Sequence, residues 1–402
     1  MLRGRESVVT VRKFDQMLIV ADENIPYVEE AFVPLGEVRT AAGRALTRKM
    51  LQDAQVLLVR SVTTVGAELL DGTPVRFVAT ATIGTEHVDT AYLAERGIGF
   101  ASAPGSNANS VAEYVVAALL VAARRLGWRL EGRSIGVIGV GNVGSLVVKN
   151  CRALAMTVLQ NDPPLFEETG DPAYRPLEEL FDCDILTLHV PLTTSGPYPT
   201  RHMADENFFK RMRPGSMFLN TSRGSVHDTA ALQLSIEEGR LAATVLDVWE
   251  EEPDISCPLL EQVALGTPHI AGYSSDGKVR GVKMIYRAAC EFLGVEPTWQ
   301  PDLPPPPCPR LTVDAQGRDD EDVLREVVSQ VYDIEADDRG LREMLCLPTQ
   351  ACSAHFDALR RDYPTRREFP NTTVEVVGGA DRLLTKLSAL GFRITPQAVG
   401  RP

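Results

Sequence analysis

Residues 135–144, Ile-Gly-Val-Ile-Gly-Val-Gly-Asn-Val-Gly, constrain this chain more than any other stretch. The apolar run 135–138 predicts a short buried strand. Gly139, Gly141 and Gly144 then fit G-x-G-x-x-G, and Val143, Leu146, Val147, Cys151 and Leu154 recur at helical spacing. Strand, glycine turn and helix in this order predict a dinucleotide site. Gly139 permits the tight turn, Gly141 keeps a side chain out of the pyrophosphate's path, and Gly144 lets helix and strand approach. The helix start at Asn142 and Val143 offers free N–H groups to an anion. The same glycines also suit an ordinary βα turn, so the next strand decides. Thr157–Asn161 ends at Asp162. A carboxylate there accepts hydrogen bonds from ribose hydroxyls and repels a 2′-phosphate, which favours NAD over NADP. As a turn residue before Pro163-Pro164 it would carry no such meaning.

A chain of 402 residues has room for two or three domains. Its net charge of −13 argues against nucleic acid or an anionic membrane as a main partner, but leaves room for an anionic substrate held by local cations. Seven scattered cysteines, none spaced C-x-x-C, predict a reducing, cytoplasmic setting rather than a disulfide framework. Cys346, Cys352 and His355 match no zinc spacing, so no metal is expected. No run approaches 18 apolar residues, so no membrane span is expected. Residues 1–16 are charged, lack an apolar signal segment and read as a disordered extension, with Met17 a candidate for the true start.

Strands predicted at 17–20, 56–59, 77–80 and 98–101 alternate with helical patterns at 27–33 and 47–54, which implies parallel βαβ units. Ser110 and Glu113 have capping-box spacing before a helix, 111–123, that is apolar on nearly every face and must be buried between domains or subunits. A second α/β unit follows, with strands at 135–138, 157–161, 184–189, 217–220, 244–247 and 263–266. After a helix at 279–293, the proline run 304–309 reads as a stiff linker. Residues 310–402 read as a small α+β domain, with strands at 310–313, 372–377 and 393–395 and helices at 321–331 and 380–390. The expected fold is therefore α/β: two Rossmann-like or flavodoxin-like domains with parallel sheets, plus that small C-terminal domain.

Three stretches past strand ends carry chemistry: Asn220-Thr-Ser-Arg-Gly224, Asp247-Val-Trp-Glu-Glu-Glu-Pro253 and Thr267-Pro-His-Ile-Ala-Gly272. Ligands bind at such ends in open α/β sheets. Taken singly, Arg223 also reads as a turn residue, Glu252 as part of a solvated acidic run and His269 as a loop cap. In this order, behind a dinucleotide loop, the chain resembles the D-isomer-specific 2-hydroxyacid dehydrogenases. The segments Val20–Pro26, Val59–Thr63, Asp162–Pro164, His269–Tyr273 and Gly277–Gly281, with the added last domain, point to a branch of that family acting on a phosphorylated 2-hydroxy acid.

The resemblance implies a division of labour. Arg223 would hold the substrate carboxylate and polarise the carbonyl, a task that suits a planar fork. His269 would carry the hydroxyl proton, and Glu252 would orient it. Ser222, Asp247 and Gly272 would join the glycine loop and Asp162 around NAD, while Ser61, Thr82 and Tyr273 would contact substrate. Arg60, Lys278 and Arg280 are candidates for its phosphate or carboxylate. The expected organisation is a substrate domain from 17–108 and 272–300, crossed twice by an NAD-binding domain over 109–271, a linker at 301–309 and a dimerisation domain at 310–402. A homodimer is expected on the same ground. Other 2-hydroxy acids, such as 3-phosphoglycerate or hydroxypyruvate, are the alternative substrates. A non-catalytic NAD(H) sensor is the alternative of another class, since a fold does not fix a function.

Overall fold

The computed structural model describes residues 17–395, so the extension expected over 1–16 lies outside the described residues. The chain divides into two compact units, one from residues up to 107 with 276–303, the other from 108–275 with the segment after 303.

The first unit is built on five parallel strands: β1 (Leu18–Asp22), β2 (Glu37–Ala41), β3 (Ala54–Val59), β4 (Phe77–Thr80) and β5 (Gly99–Ala101). Their order, β2-β1-β3-β4-β5, is that of flavodoxin-like sheets. Leu18 and Val20 face one apolar core and Ile19 and Ala21 the other, as the two-residue repeat of a doubly covered strand requires. The helix Ser275–Leu293 closes one face with Val282, Ile285, Tyr286 and Ala289. Strand β2 has no apolar run and lies exposed at the sheet edge, which is why its sequence gives no strand signal. The helical pattern at 47–54 is only a 3-10 turn, Arg48–Leu51.

The second unit holds six parallel strands: β6 (Ser134–Ile138), β7 (Thr157–Asn161), β8 (Ile185–Leu188), β9 (Ser216–Asn220), β10 (Leu241–Leu246) and β11 (Leu265–Gly266). They run β11-β10-β9-β8-β6-β7. A single parallel bridge, Gln160 to Tyr174, lies outside β7, where a Rossmann sheet has its third strand. The helix Ala108–Arg125 is buried almost throughout. Its apolar faces are covered within the chain: β6 and the helix Asn142–Ala153 lie in the same core as Leu311, Val323, Val327, Phe369 and Val374 of the C-terminal segment. A partner subunit is not needed to bury it.

The expected capping box does not form. The helix begins at Ala108, so Ser110 already lies inside it. The Ser110 hydroxyl contacts Ser274 at 2.5 Å and Glu368 at 2.9 Å, and Glu113 accepts from the Phe369 N–H. Tertiary partners have taken both side chains from the helix end.

The C-terminal segment adds a sheet of β12 (Arg310–Asp314), β13 (Thr373–Val377) and β14 (Arg393–Ile394), all parallel. The helices Asp320–Val331, Ile334–Arg342 and Thr349–Arg361 connect the first two strands. Asp338 accepts the Gly266 N–H, and Arg342 donates to the carbonyls of Leu260 and Val263. These bonds cover the otherwise open edge at β11.

Candidate active site

The glycine loop leaves β6 with Gly139 at φ 84°, a left-handed backbone that favours glycine. A Cβ at Gly144 would lie 1.9 Å from the Gly139 carbonyl oxygen, so helix and turn touch there. A Cβ at Gly141 would meet nothing within 4 Å. That side of the loop is open, beside the exposed Asn142 and half-buried Val143 of the helix start. Asp162 ends β7 and ties the loop down: its Oδ2 accepts the Val140 N–H at 2.7 Å and its Oδ1 caps the next helix at Leu165. Each oxygen keeps a second lone pair for a ribose hydroxyl. These groups fit a dinucleotide.

The Arg223 loop leaves β9 and is organised by Asn220, which is fully buried. Its amide donates to the Arg223 carbonyl, and its oxygen accepts the Ser222 N–H and hydroxyl. Ser222 is thus spent on shaping the loop. The Arg223 guanidinium donates to the Ser222 carbonyl at 2.8 Å. A Cβ at Gly224 would fall 1.8 Å from the Trp249 carbonyl oxygen, so this loop presses on the next one.

Asp247, at the end of β10, is 1% exposed. Its carboxylate accepts from Thr267 Oγ1, Ile270 N–H and Ala271 N–H at 2.7–3.0 Å. Burial raises its pKa above the ordinary carboxylate value, against the opposing His269 and these bonds. Thr267 gives its one hydroxyl proton to Asp247, so Tyr114 of the buried helix donates to Thr267 at 2.7 Å. The clamp holds His269 at φ 56°, where a non-glycine residue is strained by about 1–3 kcal/mol.

Within that frame His269 Nδ1 lies 2.6 Å from Glu252 Oε2, while Oε1 accepts the Trp249 N–H. Burial works against the Glu252 charge, but the facing His269 and these two hydrogen bonds hold its pKa below the usual carboxylate value. With Nδ1–H turned to the carboxylate, Nε2 is left as the proton-carrying atom, a tautomer assigned from the hydrogen-bond pattern. Gly272 and Tyr273 follow, both half-buried. Ser61 and Thr82 belong to the other unit. Ser61 is exposed after β3, and Thr82 donates to the Gly84 carbonyl and sits 2.6 Å from the Thr80 hydroxyl. There Arg60 pairs with the buried Asp22 at 3.1 Å, and Arg280 donates to the Ser106 carbonyl.

Sequence reasoning placed Asn220 and Thr267 in the stretches that carry chemistry but gave neither a role, and it passed over a second histidine–carboxylate pair. His202 Nε2 lies 2.6 Å from Glu250 Oε1, and Glu250 also accepts the Thr229 N–H, which stitches the loop after β8 to the Glu252 segment. His227 is wholly buried, with Nδ1 accepting from the Asn220 amide at 2.9 Å. Burial lowers its pKa from 6.5 to about 4. The unfolded chain therefore binds a proton below pH 6.5 that the folded chain refuses until about pH 4, so stability falls as the pH drops through that window. The expected loss is at most about 3 kcal/mol, read as the shift of urea midpoint with pH. His227→Gln should flatten that limb; an unchanged limb would contradict the assignment.

Among the described residues no helix is long and apolar enough to cross a membrane, and no cluster of three or more His, Cys, Asp or Glu could hold a metal. All seven cysteines are unpaired.

Fold, glycine loop and site geometry define an NAD-dependent dehydrogenase of the 2-hydroxy acid class, and a family model described as the D-isomer specific 2-hydroxyacid dehydrogenase, NAD binding domain, matches residues 108–271. A second model, described as a domain of unknown function, matches 303–391. The chain is 45% identical to an erythronate-4-phosphate dehydrogenase of Edwardsiella ictaluri over 94% of its own length and 99% of that protein. It is 48% identical to one of Salinibacter ruber over 89% and 93%. The chain belongs to the erythronate-4-phosphate dehydrogenase family. Among solved structures, a D-lactate dehydrogenase of Aquifex aeolicus, complexed with NAD and lactic acid, superposes with TM-score 0.57 at 25% identity. It covers 69% of this chain and 95% of its own. A protein of Thermus thermophilus gives TM-score 0.61 at 26% identity, covering 71% and 99%.

Proposed function

We propose that this chain oxidises 4-phospho-D-erythronate at C2 to (R)-3-hydroxy-2-oxo-4-phosphooxybutanoate, a step toward pyridoxine 5′-phosphate. The class of reaction is carried by one observation: His269 Nδ1 sits 2.6 Å from Glu252 Oε2 behind a dinucleotide loop. The substrate rests on near full-length similarity to proteins named for it. Bound NAD supplies the acceptor for the hydride that leaves C2. His269 Nε2 takes the hydroxyl proton, the C2–O bond becomes a carbonyl, and Glu252 steadies the imidazolium that forms. Arg223 holds the carboxylate and polarises the oxygen. Ser61, Thr82 and Tyr273 contact the substrate. Gly139, Gly141, Asn142, Val143 and Gly144 would hold the cofactor's pyrophosphate, Asp162 would accept from its ribose, and Ser222 and Gly272 would line the nicotinamide end. Asp247 serves by holding the loop on which His269 stands.

On this reading the chain works in the cytoplasm, where its unpaired cysteines stay reduced, and as a homodimer through residues 310–402. The substrate domain comprises 17–108 with 272–300, and the NAD domain 109–271. Purified protein with NAD should use 4-phosphoerythronate at least about 100-fold better, in kcat/KM, than 3-phosphoglycerate, glycerate or D-lactate, because glycerate and D-lactate lack the phosphate and 3-phosphoglycerate carries it one carbon nearer the carboxylate. NADP should serve poorly. Equal or better turnover of the other acids would overturn the substrate assignment.

A further inference from the structure

Residues 271–274, which include Gly272 and Tyr273, belong to no helix or strand. The C-terminal segment holds them instead. Arg366 is buried, and its guanidinium donates to the Ala271 carbonyl at 3.1 Å and to the Ser110 carbonyl at 2.8 Å. Its own carbonyl accepts the Ser275 N–H. Asp247 already takes the Ala271 N–H, so that residue is fixed on both sides. The Ser274 hydroxyl donates to Glu368 at 2.8 Å. The Tyr273 ring has two partners of its own. The Arg360 guanidinium lies over it, with Cζ 5.6 Å from the centroid, and the Tyr363 ring meets it edge-on at 5.8 Å. Both partners are themselves anchored. The helix Thr349–Arg361, which bears Arg360, packs through Cys352 and Phe356 against Ile255, Leu259 and Leu260. Tyr363 donates its hydroxyl to Asp337 at 2.8 Å.

We propose that Arg360 and Tyr363 are positioning residues for substrate recognition: through them the C-terminal domain, read above as an assembly element, sets the Tyr273 ring and so completes the active site. The need arises from the local backbone. Arg366 and Glu368 fix the main chain on either side of Tyr273, but they leave the two torsions of its side chain to be settled by neighbours. A guanidinium over the ring and a second ring edge-on to it restrict both torsions before substrate arrives. A ring left free would have to be ordered by the substrate, and that ordering subtracts from binding. The Arg360 Nε is buried without a hydrogen-bond partner, which is uncommon. Its donors do not explain where this side chain lies, whereas the face of an aromatic ring attracts the cation as a whole.

The inference rests on Tyr273 touching the substrate, and the test separates the two. Arg366 is too deeply buried for a safe substitution, so the variants are made at Arg360, Tyr363 and Tyr273. Arg360→Met keeps the stem of the side chain and loses the planar cation. It should raise the KM for 4-phosphoerythronate about tenfold, with kcat within about threefold and NAD affinity within about twofold, the split that marks lost binding rather than lost chemistry. Tyr363→Leu should do the same. Arg360→Lys returns a cation to the ring face and should bring the KM back to within about threefold of wild type. Tyr273→Ala should raise the KM at least as far, and in that background Arg360→Met should add less than about twofold, because a residue that acts through another has nothing left to act on. A merely structural arginine would lower the thermal midpoint and kcat equally in both backgrounds. An unchanged KM in Arg360→Met where Tyr273→Ala raises it, or an undiminished effect of Arg360→Met in the Tyr273→Ala background, would overturn the proposal. An unchanged KM in Tyr273→Ala itself would instead refute the substrate contact on which the proposal stands.

Discussion

His269→Gln is expected to lower kcat by about a thousandfold while leaving NAD affinity within about twofold. Glutamine keeps the size of the ring and can still donate to Glu252, but it cannot carry a proton at neutral pH. Loss of a general base costs typically 10²–10⁴ in rate. The groups proposed for the adenosine end of the cofactor lie on other elements, since the Gly139–Gly144 turn follows β6, Asp162 follows β7, and the bonds between them do not involve His269. Steady-state kinetics read the first quantity and NADH fluorescence titration the second. Glu252→Gln should cost less in kcat and move the acidic limb to lower pH, because the imidazolium loses its counter-charge. A kcat within tenfold of wild type for His269→Gln would contradict the role.

Gly224→Ala is the second large effect, from one added methyl. Its Cβ would stand 1.8 Å from the Trp249 oxygen, 2.0 Å from its carbonyl carbon and 2.5 Å from the Glu250 nitrogen. All three are backbone atoms, so no rotamer change relieves the clash. The Arg223 loop and the Trp249–Glu252 segment must separate, and misplacement by about 1 Å costs roughly 10² in rate. We expect kcat to fall at least a hundredfold, with stability lower by about 1–3 kcal/mol. Gly141→Ala is the control. Its Cβ meets open space, so stability should hold while the KM for NAD rises. Equal thermal midpoints for Gly224→Ala and wild type would show that the loops do not press together as described.

What was legible in the chain follows the range of the interactions. The β6 strand, its glycine turn and the helix behind it were legible because the glycine spacing and apolar periodicity that mark them lie within the twenty residues 135–154, although β6 also pairs with β8 some fifty residues on. Asp162, Arg223, Glu252 and His269 could be picked out because each stands just past a strand end. The capping box over Ser110 and Glu113 was a local signal overruled by Ser274, Glu368 and Phe369, which lie far along the chain. The edge strand β2 hides for want of an apolar run, and the third Rossmann strand because it has shrunk to one bridge at Tyr174. The helices Ile334–Arg342 and Thr349–Arg361 bury only a few residues each, too short a stripe to read. The contact of the Arg360 guanidinium with the Tyr273 ring had no signal at all, because the two lie some ninety residues apart and no spacing rule spans that gap.

Hydride transfer from C2 of a 2-hydroxy acid to NAD, with His269 taking the hydroxyl proton, is the step on which every role above depends. The direct measurement supplies 4-phosphoerythronate deuterated at C2, in ordinary water, and weighs the NADH formed by mass spectrometry. The expected product is NADH carrying one deuterium per turnover, formed about a thousandfold more slowly by His269→Gln. Unlabelled NADH, or labelled NADH formed equally well without His269, would refute the mechanism.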